Sequence, residues 1–281
     1  MVPLQRPYRF DGKPVTHYVI HGGVAGSKRM AAVARAYWHT TLPLLHRAGI
    51  REGMTCLDLG CGAGEVTFEI ARLVGPSGIV VGMDMDVVKL EIARQRVVQE
   101  GFRNIEFRQA NVFEWNDNSL YDLIYVRFLL THLPECDRVV PKLLRALRPG
   151  GVLAVEDINF AGYASHPANA AHDRYVHLYR EVVHRRGGDA DIGPKLLAMF
   201  AAAGAQQLGL SVVYPEHKPD SGKDISLLTM IGISEAVLAE NLIEESELNA
   251  LLSDLETYTR DPLSIICGPR VFQVWGRRAP A

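Results

Sequence analysis

Between residues 55 and 158 the hydrophobic pattern switches again and again between the period of a strand and that of a helix, with short turns between. "TCLDLG" is a short apolar strand, and "GEVTFEIARLVG" sets Val66, Ile70, Leu73 and Val74 on one helical face before stopping at Gly75 and Pro76. "GIVVGMD" is a β-branched strand, followed by "DVVKLEIARQRVVQEG", a helix opened by Asp86 and closed by Gly101. "NIEFRQA" alternates Ile105 and Phe107 with polar neighbours. "YDLIYV" is a fourth strand, leading to a helix with Val140, Leu143, Leu144 and Leu147, and "LRPGGVLAVEDI" turns at Pro149, Gly150 and Gly151 into a fifth. Strand and helix in this rhythm require parallel pairing through right-handed crossovers, so the fold class is α/β, doubly wound.

The flanking chain completes the sheet. A helix is expected over 28–48, another over 165–186 with Tyr175, Leu178, Tyr179 and Val182 on one face, and a third over 194–203 ended by Gly204. "QLGLSVVY" and "SIICGPRVFQVWG" read as two last strands, separated by helices over 225–240 and 244–258. The sum is a mostly parallel seven-stranded sheet with a helical N-terminal lid and a late helical cap insertion.

Composition narrows the function classes. The 281 residues carry a formal net charge of −2, which leaves no electrostatic footprint for nucleic acid or an anionic membrane. The four cysteines (Cys56, Cys61, Cys136, Cys267) lack C-x-x-C spacing and read as reduced thiols rather than a disulfide or zinc framework. The first thirty residues lack the apolar stretch of a signal peptide and no run approaches transmembrane length, so the expected location is cytoplasmic.

The loop after the first strand, "LDLGCGAGEVT", belongs where open parallel sheets bind ligands, and Gly60, Gly62 and Gly64 are read as letting a ligand approach the backbone. Asp84 ends the second strand 24 positions after Gly60, where a carboxylate can accept hydrogen bonds from both hydroxyls of a ribose. A dinucleotide loop reads G-x-G-x-x-G and seats a pyrophosphate. This one reads G-x-G-x-G after Asp58, a carboxylate that would repel a pyrophosphate and attract an ammonium. An NAD-dependent oxidoreductase is therefore the weaker alternative.

The chain resembles the class I S-adenosylmethionine-dependent methyltransferases, in particular the small-molecule group related to the quinone C-methyltransferases. "CLDLGCGAG", "VVGMDMD", "FRQANVFEW", "YDLIYVRFLLTHLP" and "LLRALRPGGVLAVED" are similar to that family's motifs in order. The resemblance implies S-adenosyl-L-methionine as cofactor. It gives Gly60, Cys61 and Gly62 to the methionine part, Asp58 to its ammonium, Asp84 to the ribose and Met85 to the adenine. Asn111 stands where the family more often has an acid, its side-chain oxygen accepting from the adenine amino group. Val112 supplies an apolar contact and a backbone donor, and the Arg127 carbonyl accepts from the ammonium. Tyr18, Arg29 and the "HGG" at 21–23 resemble a lid segment over the cofactor. The implied division is one domain with a lid over 1–50, a cofactor-binding core over 51–160, a substrate cap with the sixth strand over 161–262, and the last strand over 263–281.

His132, after the fourth strand, is the candidate base or else a helix cap or pocket wall, and His166 is the second candidate base. Tyr163, Tyr175 and Tyr179 can wall the acceptor pocket or pack the core. No histidine or carboxylate cluster has metal-ligand spacing, so no metal is expected. The expected activity is methyl transfer to a small-molecule acceptor, a secondary metabolite or quinone-like phenol, by a monomer or homodimer. A regulatory or non-methylating S-adenosylmethionine-binding protein would keep the same motifs.

Overall fold

The main sheet has seven strands: β1 (Thr55–Leu59), β2 (Ile79–Asp84), β3 (Ile105–Gln109), β4 (Tyr121–Arg127), β5 (Leu147–Asn159), β6 (Gln206–Val213) and β7 (Arg270–Arg277). The computed structural model describes residues 9–10, 13–14, 23–118, 120–217 and 222–280. The strand order is β3-β2-β1-β4-β5-β7-β6, with β7 antiparallel to both neighbours and the rest parallel where paired. Strand order reverses between β1 and β4, so their carboxyl ends open the crevice where ligands bind in such sheets.

Helices cover both faces, which is why the central strands are apolar throughout. On one face α2 (Glu65–Val74) and the second half of α1 (Gly23–Arg47) pack Ile70, Val74, Leu44 and Leu45 against Cys56, Val80 and Leu123. On the other, α4 (Cys136–Ala146) and α6 (Leu196–Ala202) pack Leu143 and Phe200 among Leu57, Ile124 and Val155. α3 (Val87–Glu100) is capped as its sequence requires: the Asp86 carboxylate accepts from the Val88 and Lys89 N–H groups, and Gly101 closes it in the left-handed region.

A separate core lies over the carboxyl ends. There the first half of α1 (Val33, Ala36, Tyr37) packs with α5 (Ala170–Arg185), α7 (Ile225–Ala239) and α8 (Glu245–Arg260). α1 thus belongs to the sheet at one end and to the cap at the other. A buried acid anchors its middle: Glu156 of β5 accepts from Thr41 of α1 at 2.5 Å, from the Tyr125 hydroxyl of β4, and from Gln273 of β7 at 2.8 Å. Gln273 also donates to the Thr40 carbonyl at 3.0 Å.

Several expected boundaries move. α1 starts at Gly23, before the expected residue 28. The expected helix over 165–186 begins at Ala170, capped by Asn169, because Ala164–His166 is a short strand. That strand pairs with Ile265–Cys267, which pairs with Glu216–His217. "SIICGPRVFQVWG" is accordingly two elements separated at Gly268 and Pro269 rather than one strand. Pro149 to Gly151 form a bulge inside β5, where Tyr121 pairs with Leu147 and Leu123 already with Val152. Leu147 is therefore buried in β5 and not on α4.

Candidate functional site

A continuous cavity of about 420 Å³ runs from the glycine loop, between the ends of β1, β2 and β4, up beneath the cap helices. Arg29, Asp58, Gly60, Cys61, Gly62, Asp84, Met85, Asn111, Val112, Arg127 and His132 all line it. Tyr18, His21 and Gly22 lie outside the described residues.

The glycine loop is pinned to β2. The N–H groups of Gly60 and Cys61 donate to the Met83 carbonyl at 2.7 and 3.0 Å, and the Gly62 N–H donates to Asp84 Oδ2 at 2.8 Å. Gly60, Gly62 and Gly64 have φ of +75°, +57° and +85°, the left-handed region where a side chain is strained. A Cβ at Gly62 would fall 1.8 Å from Met30 Cε, and one at Gly64 2.8 Å from Phe107 Cζ. The glycines answer to backbone conformation and, at Gly62 and Gly64, to the Met30 and Phe107 side chains, while Gly60 and Gly62 also line the cavity. Met30 on Gly62 brings α1 down over the loop.

Two carboxylates face the lower cavity in different states. Asp84 is half-buried; its second oxygen accepts from the Asp86 N–H at 2.9 Å, so both oxygens are oriented and each keeps a lone pair. Asp58 is buried and accepts from the Thr67 hydroxyl at 2.6 Å. Burial pushes its carboxyl up to about 6, while the Thr67 hydrogen bond and the Arg127 charge pull it back. The Asn111 side-chain oxygen accepts from the Phe113 N–H at 3.0 Å, so part of the capacity expected for adenine is spent on a turn.

His132 ends a short 3₁₀ turn, Leu130–His132, held from below by Asp157, whose carboxylate accepts from the Thr131 N–H at 3.1 Å. Burial lowers His132 to about 3, with the Arg29 and Lys89 charges adding to the effect, so the imidazole is neutral at physiological pH. It is a hydrogen-bond acceptor and a weak base. It does not cap α4, whose N-cap is Glu135. His166 is corrected: it is exposed on the short strand Ala164–His166 and does not line the cavity, too far out to take a proton there. Tyr163, Tyr175 and Tyr179 do line the cavity, and Phe160 stacks on Tyr179 at 3.9 Å between ring centroids.

Some site residues had no sequence signal. Phe128 has φ of +51°, unusual for a side-chain-bearing residue, and its ring meets Tyr37 edge-on at 5.2 Å. Lys89, ion-paired with Asp86 at 3.3 Å, sits on the first turn of α3 and faces inward, which helical spacing alone does not distinguish from a solvated lysine. Arg127 lines the cavity, and its side chain, not only its carbonyl, is of interest there: Nη1 is buried and lacks a hydrogen-bond partner among the described residues. Among the described residues no group of three or more His, Cys, Asp or Glu side chains is arranged to hold a metal, and no helix is long and apolar enough to cross a membrane.

The model of a family described as "Methyltransferase domain" matches residues 50–189, the span from β1 through the turn after α5 that carries this loop, Asp84 and His132. Residues 50–189 belong to the methyltransferase-domain family. The chain is 34% identical over 137 residues to a demethylmenaquinone methyltransferase of Lactococcus lactis, covering 48% of this chain and 52% of that one. It is 35% identical over 134 residues to a ubiquinone/menaquinone biosynthesis C-methyltransferase of Hahella chejuensis, covering 47% and 53%. The chain thus matches about half the length of these curated relatives. Among solved structures, the YcgJ protein of Bacillus subtilis superposes with a TM-score of 0.56 at 19% identity, over 87% of this chain and 100% of that one. Phosphoethanolamine N-methyltransferase 2 of Haemonchus contortus, in complex with S-adenosyl-L-methionine, gives 0.55 at 16% identity, over 89% and 57%. Those two share the fold. The methyltransferase domain accounts for the lower cavity, whereas most of the cap lies beyond residue 189.

Proposed function

We propose that the chain is an S-adenosyl-L-methionine-dependent methyltransferase acting on a small, aromatic acceptor. The observation that carries this reading is the set of polar groups in the lower cavity: an oriented carboxylate at Asp84, a buried carboxyl at Asp58 raised by burial, and a guanidinium at Arg127 with an unmatched nitrogen. These match the hydroxyl pair, ammonium and carboxylate of that cofactor, whereas the two carboxylates oppose a pyrophosphate. When bound, the cofactor supplies a methyl group already activated on a sulfonium, so the protein's task is mainly positioning and exclusion of water.

Asp84 accepts from the ribose hydroxyls while the Gly62 and Asp86 N–H groups hold it in place. Met85 and Val112 pack against the adenine, and Asn111 offers its remaining lone pair to the amino group. Gly60, Cys61 and Gly62 line the methionine part. Asp58 and the Arg127 carbonyl accept from the ammonium, and the Arg127 side chain meets the carboxylate. His132 faces the acceptor as a neutral hydrogen-bond acceptor. The aromatic wall and the quinone methyltransferases among the relatives support a ring-bearing acceptor. We take 1–50 as lid, 51–160 as cofactor core and 161–262 as cap of one domain. The free cysteines are in keeping with a cytoplasmic setting.

Isothermal titration with S-adenosylmethionine, S-adenosylhomocysteine and NAD tests the cofactor. Binding of the first two and not the third is expected; binding of NAD alone would overturn the reading, and absence of methyl transfer to any acceptor would leave only a regulatory binder. Affinity is also expected to depend on pH through Asp58. The free carboxyl near 6 must be ionised to hold an ammonium, so binding releases a proton in acid: affinity for S-adenosylhomocysteine is flat just above neutrality, until the ligand's own amino group titrates, and falls about tenfold per unit below 6. Asp58→Asn should flatten that profile, and an unchanged slope in the variant would assign the titration elsewhere. His132→Ala is expected to lower turnover by about 100-fold, the low end for a proton-accepting side chain given its weak basicity, with cofactor affinity within about twofold. Unchanged turnover would make His132 a wall.

A further inference from the structure

The charges lining the cavity are segregated. Its acids, Asp58, Glu65, Asp84 and Asp86, all stand at the glycine-loop end. Glu65 is engaged by Arg96 at 2.8 Å and Asp86 by Lys89 at 3.3 Å. The cap end is walled by aromatic and apolar side chains and is entered from α1 by the cation Arg29. Arg29 reaches toward α7, with Nη1 3.5 Å from the Thr229 hydroxyl, while its Nε is buried with no hydrogen-bond partner among the described residues. It makes no ion pair among them either, and its charge acts on Tyr37, Tyr163 and Tyr175 as well as on His132. Arg127 lies at the boundary of the two ends: its charge acts on Asp58 below and on Tyr37 above, and its guanidinium lies 5.7 Å from the centre of the Phe128 ring.

With the cofactor held as proposed above, its ammonium meets Asp58 and its carboxylate meets Arg127. That leaves Arg29 and the sulfonium as two positive charges facing the acceptor, beside a neutral His132 and tyrosines whose phenols burial keeps protonated. Arg29 is half-buried, its Nε is shut off from water, and it has no carboxylate partner among the described residues; a bidentate carboxylate is the partner its planar fork fits best. We propose that Arg29 is the acceptor-binding residue for an anionic group, and that the acceptor is an aromatic carboxylate whose ring packs among Tyr37, Phe128, Phe160 and Tyr179. This moves Arg29 from the cofactor lid, where sequence resemblance put it, to substrate specificity. It rests on the methyltransferase reading for the cofactor's placement.

The test uses the full chain saturated with S-adenosylhomocysteine and titrated with 4-hydroxybenzoate, 4-hydroxycinnamate and phenylacetate, each against its neutral amide. At least one acid is expected to bind about 10 to 100-fold more tightly than its amide, the range for a charge-assisted pair. Arg29→Met should erase that preference while leaving S-adenosylhomocysteine affinity within about twofold, and Arg29→Lys should recover part of it. No acid preferred over its amide in the wild-type protein would overturn the proposal without need of any variant. A tenfold loss of S-adenosylhomocysteine affinity in Arg29→Met would return the guanidinium to the cofactor and overturn it too. Failure of the wild-type protein to bind S-adenosylhomocysteine at all would instead strike the methyltransferase reading, and this proposal with it.

Discussion

Asp84→Ala is expected to raise the dissociation constant for S-adenosylhomocysteine by about 100-fold, with the fold intact. Hydrogen bonds to a carboxylate contribute about 1.5–3 kcal/mol each, and two ribose hydroxyls are lost together. The substitution also removes the acceptor of the Gly62 and Asp86 N–H groups, which loosens the loop on which the methionine part rests. Asp84 is only half-buried, so water can reach those donors and the cost falls on binding more than on stability. Asp84→Asn keeps one acceptor but turns an amide toward one of the two N–H groups, and is expected to lose about tenfold. Titration of the two variants checks both values. Affinity within twofold of wild type for the alanine variant would remove Asp84 from the ribose.

Glu156→Ala is the second large effect, and it falls on stability. The carboxylate is fully buried and collects donors from α1, β4 and β7. Its removal leaves the Gln273 amide with an unmatched donor and the Thr41 and Tyr125 hydroxyls without their acceptor, a loss of about 3 kcal/mol or more. At about 2–3 °C per kcal/mol for a chain of this size, melting should fall by about 6–10 °C. Glu156→Gln should cost less, because the two hydroxyls can rotate to accept from the new amide. Calorimetry or thermal circular dichroism reads the difference; an alanine variant melting with wild type would mean that packing alone anchors α1. The same change should weaken ligand binding secondarily, since α1 carries Arg29, Met30 and Tyr37 over the cavity.

The readable and unreadable parts of this protein divide along the range of the interactions. α2, α3 and the five strands from β1 to β5 were legible because each is specified by its own period and its own caps, such as Asp86 and Gly101. The lower site was legible for the same reason: the glycine loop and Asp84 sit at fixed offsets on one βαβ unit. His166 misled because the loop it occupies becomes a strand only through pairing with residues near 265, about a hundred positions away. The sequence did not reveal that the Asn111 oxygen is shared with an Asx turn, because that bond to the Phe113 N–H depends on the folded loop.

What the sequence determined by itself was the doubly wound sheet, the order of its first five strands' motifs and the polar groups at their carboxyl ends, all local in chain and set by periodicity. Only the tertiary structure decided that α1 spans sheet and cap, that Glu156 ties it down, and that Arg29 faces aromatic walls with no acid paired to it among the described residues. Those outcomes depend on which side chains meet across 115 to 200 positions of chain, and no local pattern encodes such a meeting.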